Sequence, residues 1–200
     1  MLNKIGFRAT ELKKVLLQEK SEVSWKLYSR LNQPELSPLQ LSWLLDASSL
    51  TQRLITASDG EFQVEVISEQ WIKPMLSERN LLGMRHNMFA RVRQVRLLCK
   101  GEPCVFARTV IPYSTLKGPV RRLLMLGNKS LGAVLFSDRS MQRGEIEIAS
   151  ISKNNNLYNQ AMQGFKQKVS HICGRRSIFY LSGKPLLVNE IFLPGINDLK

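Results

Sequence analysis

The chain reads as an α+β protein: a single antiparallel β-sheet of about six strands with helices packed on it. Three features predict that class. Helix-start signals cluster before residue 60, period-two alternation dominates after it, and two long apolar runs fold back around similar turns, "KGEP" at 100–103 and "SGKP" at 182–185. With 200 residues, 44% of them hydrophobic, the chain can bury a substantial core, and its length favours one globular domain.

Residues 1–36 predict a basic, amphipathic helical lead, because Leu12, Val15, Leu16, Val23, Leu27 and Leu31 fall near helical spacing among Lys and Glu. Residues 37–200 form the body. Its first helix starts at Ser37-Pro38-Leu39-Gln40, which combines an N-cap serine, proline at the first helical position and the glutamine of a capping box. Ser48 or Ser49 caps a second helix carrying Leu50, Leu54 and Ile55.

The period then changes. Phe62, Val64 and Val66 alternate with polar residues after Gly60, which predicts a strand. The KGEP and SGKP hairpins add two strands each, since Gly permits positive φ and Pro ends the ladder where no N–H is needed. "EIEIASI" supplies one more strand. Between the hairpins, Pro119 opens and Gly127 closes a short helical segment, and Ser130 caps "LGAVLF". From Lys153 to Ile172 a polar loop leads into a helix with Leu157, Met162, Phe165 and Val169 on one face.

Composition narrows the function. Lys and Arg number 29 against 16 Asp and Glu, a formal net charge of +13, so the surface should attract anionic partners. A nucleic-acid surface would gather these charges on one face among aromatics. Here they are scattered, as Lys13-Lys14, Arg121-Arg122, Lys166 and Lys168, and Arg175-Arg176, and no nucleic-acid partner is expected. Cys99, Cys104 and Cys173 are too few for a disulfide framework, and with His171 they lack the knuckle spacing of structural zinc, so no metal is expected. P-loop, G-x-G-x-x-G and G-x-S-x-G motifs are missing. Without a cleavable signal or an apolar run of about 20 residues, the expectation is a soluble cytoplasmic protein, monomeric by default.

The strand arginines carry the sharper question. If Gly101 and Glu102 are the loop residues of the first hairpin, Cys99 faces Cys104, and Arg93 and Arg108 share one face with Leu97 and Phe106. An arginine on an apolar face is costly unless a carboxylate meets it. Glu190 is the candidate, because it shares a face with Leu186, Val188 and Phe192. Either Arg93 and Glu190 form an internal salt bridge, or this is an edge strand whose charged face meets water, or the two are the fixed cation and carboxylate of a closed pocket for a small molecule bearing a carboxylate and a hydroxyl.

"SSLTQRL", "RQVRLLCKGEPCVFARTVIPYSTLKGP", "LGNKSLGAVLF", "EIEI" and "GRRSIFYLSGKPLLVNEIFLP", in that order, resemble the chorismate lyase (chorismate pyruvate-lyase) family from about Leu41 to Pro194. The segment 153–171 is longer than the family pattern, and Cys173 stands where the family has Trp. The resemblance implies a buried site closed by helical flaps. It implies conversion of chorismate to 4-hydroxybenzoate and pyruvate, the first step of ubiquinone biosynthesis, with no cofactor. Arg93 matches the family's holder of the ring carboxylate and Glu190 its residue beside the hydroxyl. Leu50, in place of a family Met, and Leu131 match two residues that contact the ligand partly through backbone amides. Arg108, from its inferred face, is assigned to the enolpyruvyl carboxylate. A product that fits both poles predicts product inhibition, with flaps at the Leu50 helix and at 119–136. The alternatives are a non-catalytic sensing module of the same fold for small aromatic acids, as in some bacterial transcription regulators, and a basic nucleic-acid binder. A weak contact of the basic lead with an anionic membrane surface is a further expectation.

Overall fold

The computed structural model describes residues 22–30, 36–166 and 168–199. Among them, eight strands form one antiparallel sheet: β1 (Lys26–Leu27), β2 (Phe62–Ile72), β3 (Ala90–Cys99), β4 (Glu102–Pro112), β5 (Gln142–Arg143), β6 (Glu147–Ser152), β7 (His171–Leu181) and β8 (Lys184–Phe192). Their order is β1-β6-β7-β8-β4-β3-β2, with β5 beside the far end of β7. The two strands beyond the expected six are two-residue segments, too short to show a period.

The helices are α1 (Pro38–Leu45), α2 (Leu50–Ala57), α3 (Leu76–Leu81), α4 (Leu131–Phe136) and α5 (Asn156–Ala161). The capping signals act as their chemistry dictates. Ser37 accepts from the Gln40 amide while the Gln40 side chain accepts from the Ser37 amide; Ser49 caps α2 and Ser130 caps α4. Pro119 and Gly127 bracket a 3₁₀ segment, Gly118–Met125.

Each face of the sheet has its own cover. On one, α1 and α2 pack Trp43, Leu44, Leu50 and Leu54 on Val95, Leu97, Val105 and Phe192, while 118–136 buries Val120, Leu123 and Leu135 against Phe179, Leu186 and Val188. On the other, α5 packs Leu157, Tyr158 and Met162 on Phe106, Ile151 and Ile191. Among the described residues no helix is long and apolar enough to cross a membrane.

The structure corrects three expectations. Residues 22–27 run extended instead of helical, and only Tyr28–Arg30 coils, as a single 3₁₀ turn: Glu22 accepts from the Leu76 and Ser77 amides at 2.7 and 2.8 Å, Val23 is buried, and Lys26–Leu27 pairs with β6. These long-range partners outweigh a weak local period; the rest of the expected lead, 1–21 and 31–35, lies outside the described residues. The helix expected to run toward Ile172 ends at Ala161, because Gly164 takes φ +87° and β7 claims the chain from His171. Leu157, Met162 and Phe165 still share a cluster, but Val169 is exposed.

The third correction concerns register. Lys100 and Gly101, at φ 52° and 80°, form the turn, so Cys99 opposes Glu102; a bulge beside Leu97 and Leu98 then sets Leu97 against Val105 and Arg93 against Thr109. This differs by one residue from the expected pairing, and a one-residue slip moves every side chain of one strand to the opposite face. Arg93 and Arg108 therefore lie on opposite sides of the sheet.

Candidate functional site

A small enclosed cavity lies on the face covered by α1, α2 and α4, and four of the five residues singled out from sequence line it: Leu50, Arg93, Leu131 and Glu190. Its floor is two adjacent rows of directly opposed residues. One runs Arg93, Thr109, Val188 across β3, β4 and β8, with Ser177 of β7 opposite Val188 just beyond the lining, and the next runs Val95, Ala107, Glu190, Arg175. Its roof is the start of α2 and the start of α4, joined by a 2.5 Å hydrogen bond between the Thr51 and Ser130 hydroxyls. Gly132 sits so close that a Cβ there would lie 2.5 Å from Thr51 Oγ1. The enclosed space is about 40 Å³, room for a few waters.

Leu50 and Leu131 are each the first residue of a helix, preceded by a serine N-cap. The caps satisfy the amides of Gln52 and Ala133, so the N–H groups of Leu50 and Leu131 keep no intrahelical partner and remain donors beside the cavity.

Each charged group is held in place by partners of its own. Arg93, 3% exposed, donates from Nη2 to the carbonyls of Gly127 at 2.8 Å and Lys129 at 3.2 Å, and from Nη1 to Glu69 at 3.3 Å. It thus ties β3 to the chain entering α4. Glu190 accepts from Arg175 Nε at 2.5 Å through Oε2, leaving Oε1 without a partner among the described residues. Arg175, 1% exposed, also donates to the carbonyls of Trp43 and Asp46 at the end of α1. Of the alternatives, the internal Arg93–Glu190 pair does not form: each has its own partner, and both line the cavity.

Arg108 does not belong to this site. On the opposite face it makes a two-pronged ion pair with Glu78 of α3, at 2.8 and 3.0 Å, and Asn189 completes the group by donating to Glu78 and to the Arg108 carbonyl. Arg108 and Glu78 are 3% and 2% exposed. Sequence reasoning missed α3, whose six residues carry no usable period. It also missed Arg143 and Arg175 as cavity residues. Arg175 left a signal: a two-residue Ser182-Gly183 turn places it directly opposite Glu190. Arg143 left none, since β5 joins β7 only through tertiary pairing.

Among the described residues no group of three or more His, Cys, Asp and Glu is placed to hold a metal ion. The chemistry of the lining suits a small organic anion: a guanidinium at the β3 side, a carboxylate oxygen at the β8 side, apolar walls between, and free amides in a roof that must part to make room for one.

The family model described as chorismate lyase matches residues 20–199. Among similar proteins, one from Methylococcus capsulatus named "Probable chorismate pyruvate-lyase" is 38% identical over 155 residues, 78% of this chain and 94% of that one. Proteins of the same name from Psychromonas ingrahamii and Pseudomonas aeruginosa are 38% identical over 162 residues, covering 78% and 81% of this chain and 82% and 87% of theirs. Among solved structures, PhnF from Mycobacterium smegmatis superposes with a TM-score of 0.51 at 13% identity, over 76% of this chain and 66% of that one. The possible transcriptional regulator YydK from Bacillus subtilis does so with a TM-score of 0.51 at 12% identity, over 94% and 80%. At such identities the likeness is one of fold.

Proposed function

The chain belongs to the chorismate lyase family, and from that premise we propose that it cleaves chorismate to 4-hydroxybenzoate and pyruvate, the step that opens ubiquinone biosynthesis. The observation that carries this reading is the presence of Arg93 and Glu190 in one buried cavity, separated by apolar wall. Chorismate has a ring carboxylate at C1 and a hydroxyl across the ring at C4. Arg93 takes the carboxylate, assisted by the free amides of Leu50 and Leu131, and Oε1 of Glu190 accepts from the hydroxyl.

The reaction asks little more of the protein. The C3–O ether bond breaks, hydrogen leaves C4, its electron pair completes an aromatic ring, and enolpyruvate takes up a proton at its methylene carbon to become pyruvate. Aromatisation supplies the driving force without a cofactor. The site holds the reactive conformer, stabilises charge on the departing enolpyruvyl group and keeps water out. Because the closed cavity has so little free volume, substrate and product pass only when the Thr51–Ser130 contact opens. The product keeps both groups that Arg93 and Glu190 bind, so it leaves slowly and inhibits.

Ligand analogues separate the two poles. Titration with 4-hydroxybenzoate, benzoate and phenol should show benzoate weakened about tenfold or more for want of the hydroxyl, and phenol weakened further for want of the charge. Glu190→Gln should weaken 4-hydroxybenzoate and leave benzoate unchanged. Benzoate binding as tightly as 4-hydroxybenzoate would contradict the role of Glu190.

A further inference from the structure

Arg143 differs from the other cavity arginines in what it touches. Arg93 has Glu69 and Arg175 has Glu190, whereas Arg143 makes no ion pair among the described residues. Its Nε donates to Ser177 Oγ at 3.2 Å, and its Nη1 to the carbonyl oxygens of Ala47 at 3.0 Å and Asp46 at 3.4 Å. Nη2 makes no hydrogen bond among the described residues. The guanidinium lies 5.2 Å from the centre of the Phe179 ring, another wall of the cavity. Burial first, and then the nearby Arg175, lower its pKa from the ordinary arginine value, partly offset by the carboxylates of Glu190 and Asp46 close by, and a guanidinium keeps its proton in the neutral range. Those carboxylates lie near Arg143 without bonding to it, and its free Nη2 can pair directly with an anion brought into the cavity.

The order of groups across the sheet indicates which anion. Arg93 on β3 and Ser177 on β7 end one row of opposed residues, three strand spacings or about 14 Å apart. Ser177 holds Arg143, and Glu190 projects from β8, the strand beside β7. Counted from β3, the sequence is carboxylate anchor, apolar floor, hydroxyl acceptor, then a guanidinium with a free donor. Chorismate carries its polar groups in the same order: the C1 carboxylate, the ring, the C4 hydroxyl and, on C3 beside that hydroxyl, the enolpyruvyl carboxylate.

We infer that Arg143 binds the enolpyruvyl carboxylate of the substrate, a role that rests on the chorismate reading above. This is the charged group that chorismate has and 4-hydroxybenzoate lacks. It stays on the three-carbon fragment when the C3–O bond breaks, so Arg143 also faces the enolate as its charge grows, and pyruvate leaves from this end of the cavity. Arg143 is then the residue that distinguishes substrate from product, in a site whose other two poles bind both.

The test compares wild type with Arg143→Met, which keeps packing on Phe179 and removes the charge, and with Arg143→Lys. Steady-state turnover of chorismate, equilibrium binding of 4-hydroxybenzoate and inhibition by pyruvate are measured on each. Arg143→Met should raise KM for chorismate about tenfold to a hundredfold, leave 4-hydroxybenzoate binding within about twofold, and abolish competition by pyruvate. Arg143→Lys should recover part of the KM. An unchanged KM in Arg143→Met overturns the inference alone. So does a parallel rise in KM and in the Kd for 4-hydroxybenzoate, since that is what losing the tie between β5 and the end of α1 would produce. A folded wild type that does not turn over chorismate overturns the functional reading and this inference with it.

Discussion

Replacing Arg108 tests whether the buried charge on the far side of the sheet is structural. Arg108 and Glu78 are bonded twice, at 2.8 and 3.0 Å, and are 3% and 2% exposed, so neither can turn to water when its partner is removed. Losing one member of such a pair strands the other and costs about 3–5 kcal/mol. For a chain of 200 residues that lowers Tm by about 6–20 °C. Arg108→Met and Glu78→Gln should each show this drop by thermal denaturation. The double variant should fall well short of the sum, because it strands no charge; the amide oxygen introduced by Glu78→Gln can still accept from the Met75 N–H as the Glu78 carboxylate does now. At a temperature where all remain folded, kcat and KM for chorismate should match wild type within about twofold, since neither residue lines the cavity. Additive losses would show that the pair is not coupled. A large loss of kcat with unchanged stability would return Arg108 to the chemistry and refute the register described above.

Two further outcomes follow from close contacts. Gly132→Ala places a Cβ 2.5 Å from Thr51 Oγ1 and so breaks the Thr51–Ser130 link between the two roof helices. Alanine's helix propensity offsets that loss, each being about 1 kcal/mol, so Tm should stay near wild type while 4-hydroxybenzoate release, followed by stopped-flow fluorescence, becomes several-fold faster; an unchanged release rate would show that the link does not gate the cavity. Burial raises the pKa of Cys99 and Cys173, and burial foremost, with the nearby Cys99, pushes Cys104 up to about 12. At pH 8 all three thiols stay protonated and should be alkylated by iodoacetamide far more slowly than in the unfolded chain; mass spectrometry showing rapid labelling of native protein would contradict their environment.

Much of this fold is written in local chemistry. Ser37, Ser49 and Ser130 announce their helices because a side-chain oxygen beside the first turn satisfies amides that the helix cannot. Two of those helix starts also place Leu50 and Leu131 in the cavity roof. Register is legible in one hairpin and not in the other for a physical reason. In the second, a two-residue turn continues into an unbroken ladder, so counting outward from Ser182-Gly183 sets Arg175 against Glu190. In the first, the bulge at Leu97 and Leu98 adds one residue to one strand, and no residue type in "LLCKGEPC" demands it. That single residue puts Arg108 on the face opposite to the expected one. Glu78, Glu69 and Arg143 reach their partners from elements that the chain brings together only on folding, and no pattern along the sequence marks such pairs.

Chorismate turnover tests the central claim most directly. Purified protein is incubated with chorismate, and 4-hydroxybenzoate and pyruvate are quantified by chromatography beside Arg93→Ala and Glu190→Ala. Equimolar products from wild type, with turnover lost or sharply reduced in both variants, are the predicted result. A folded wild-type protein that binds 4-hydroxybenzoate yet forms neither product would contradict it and mark the cavity as a sensing site.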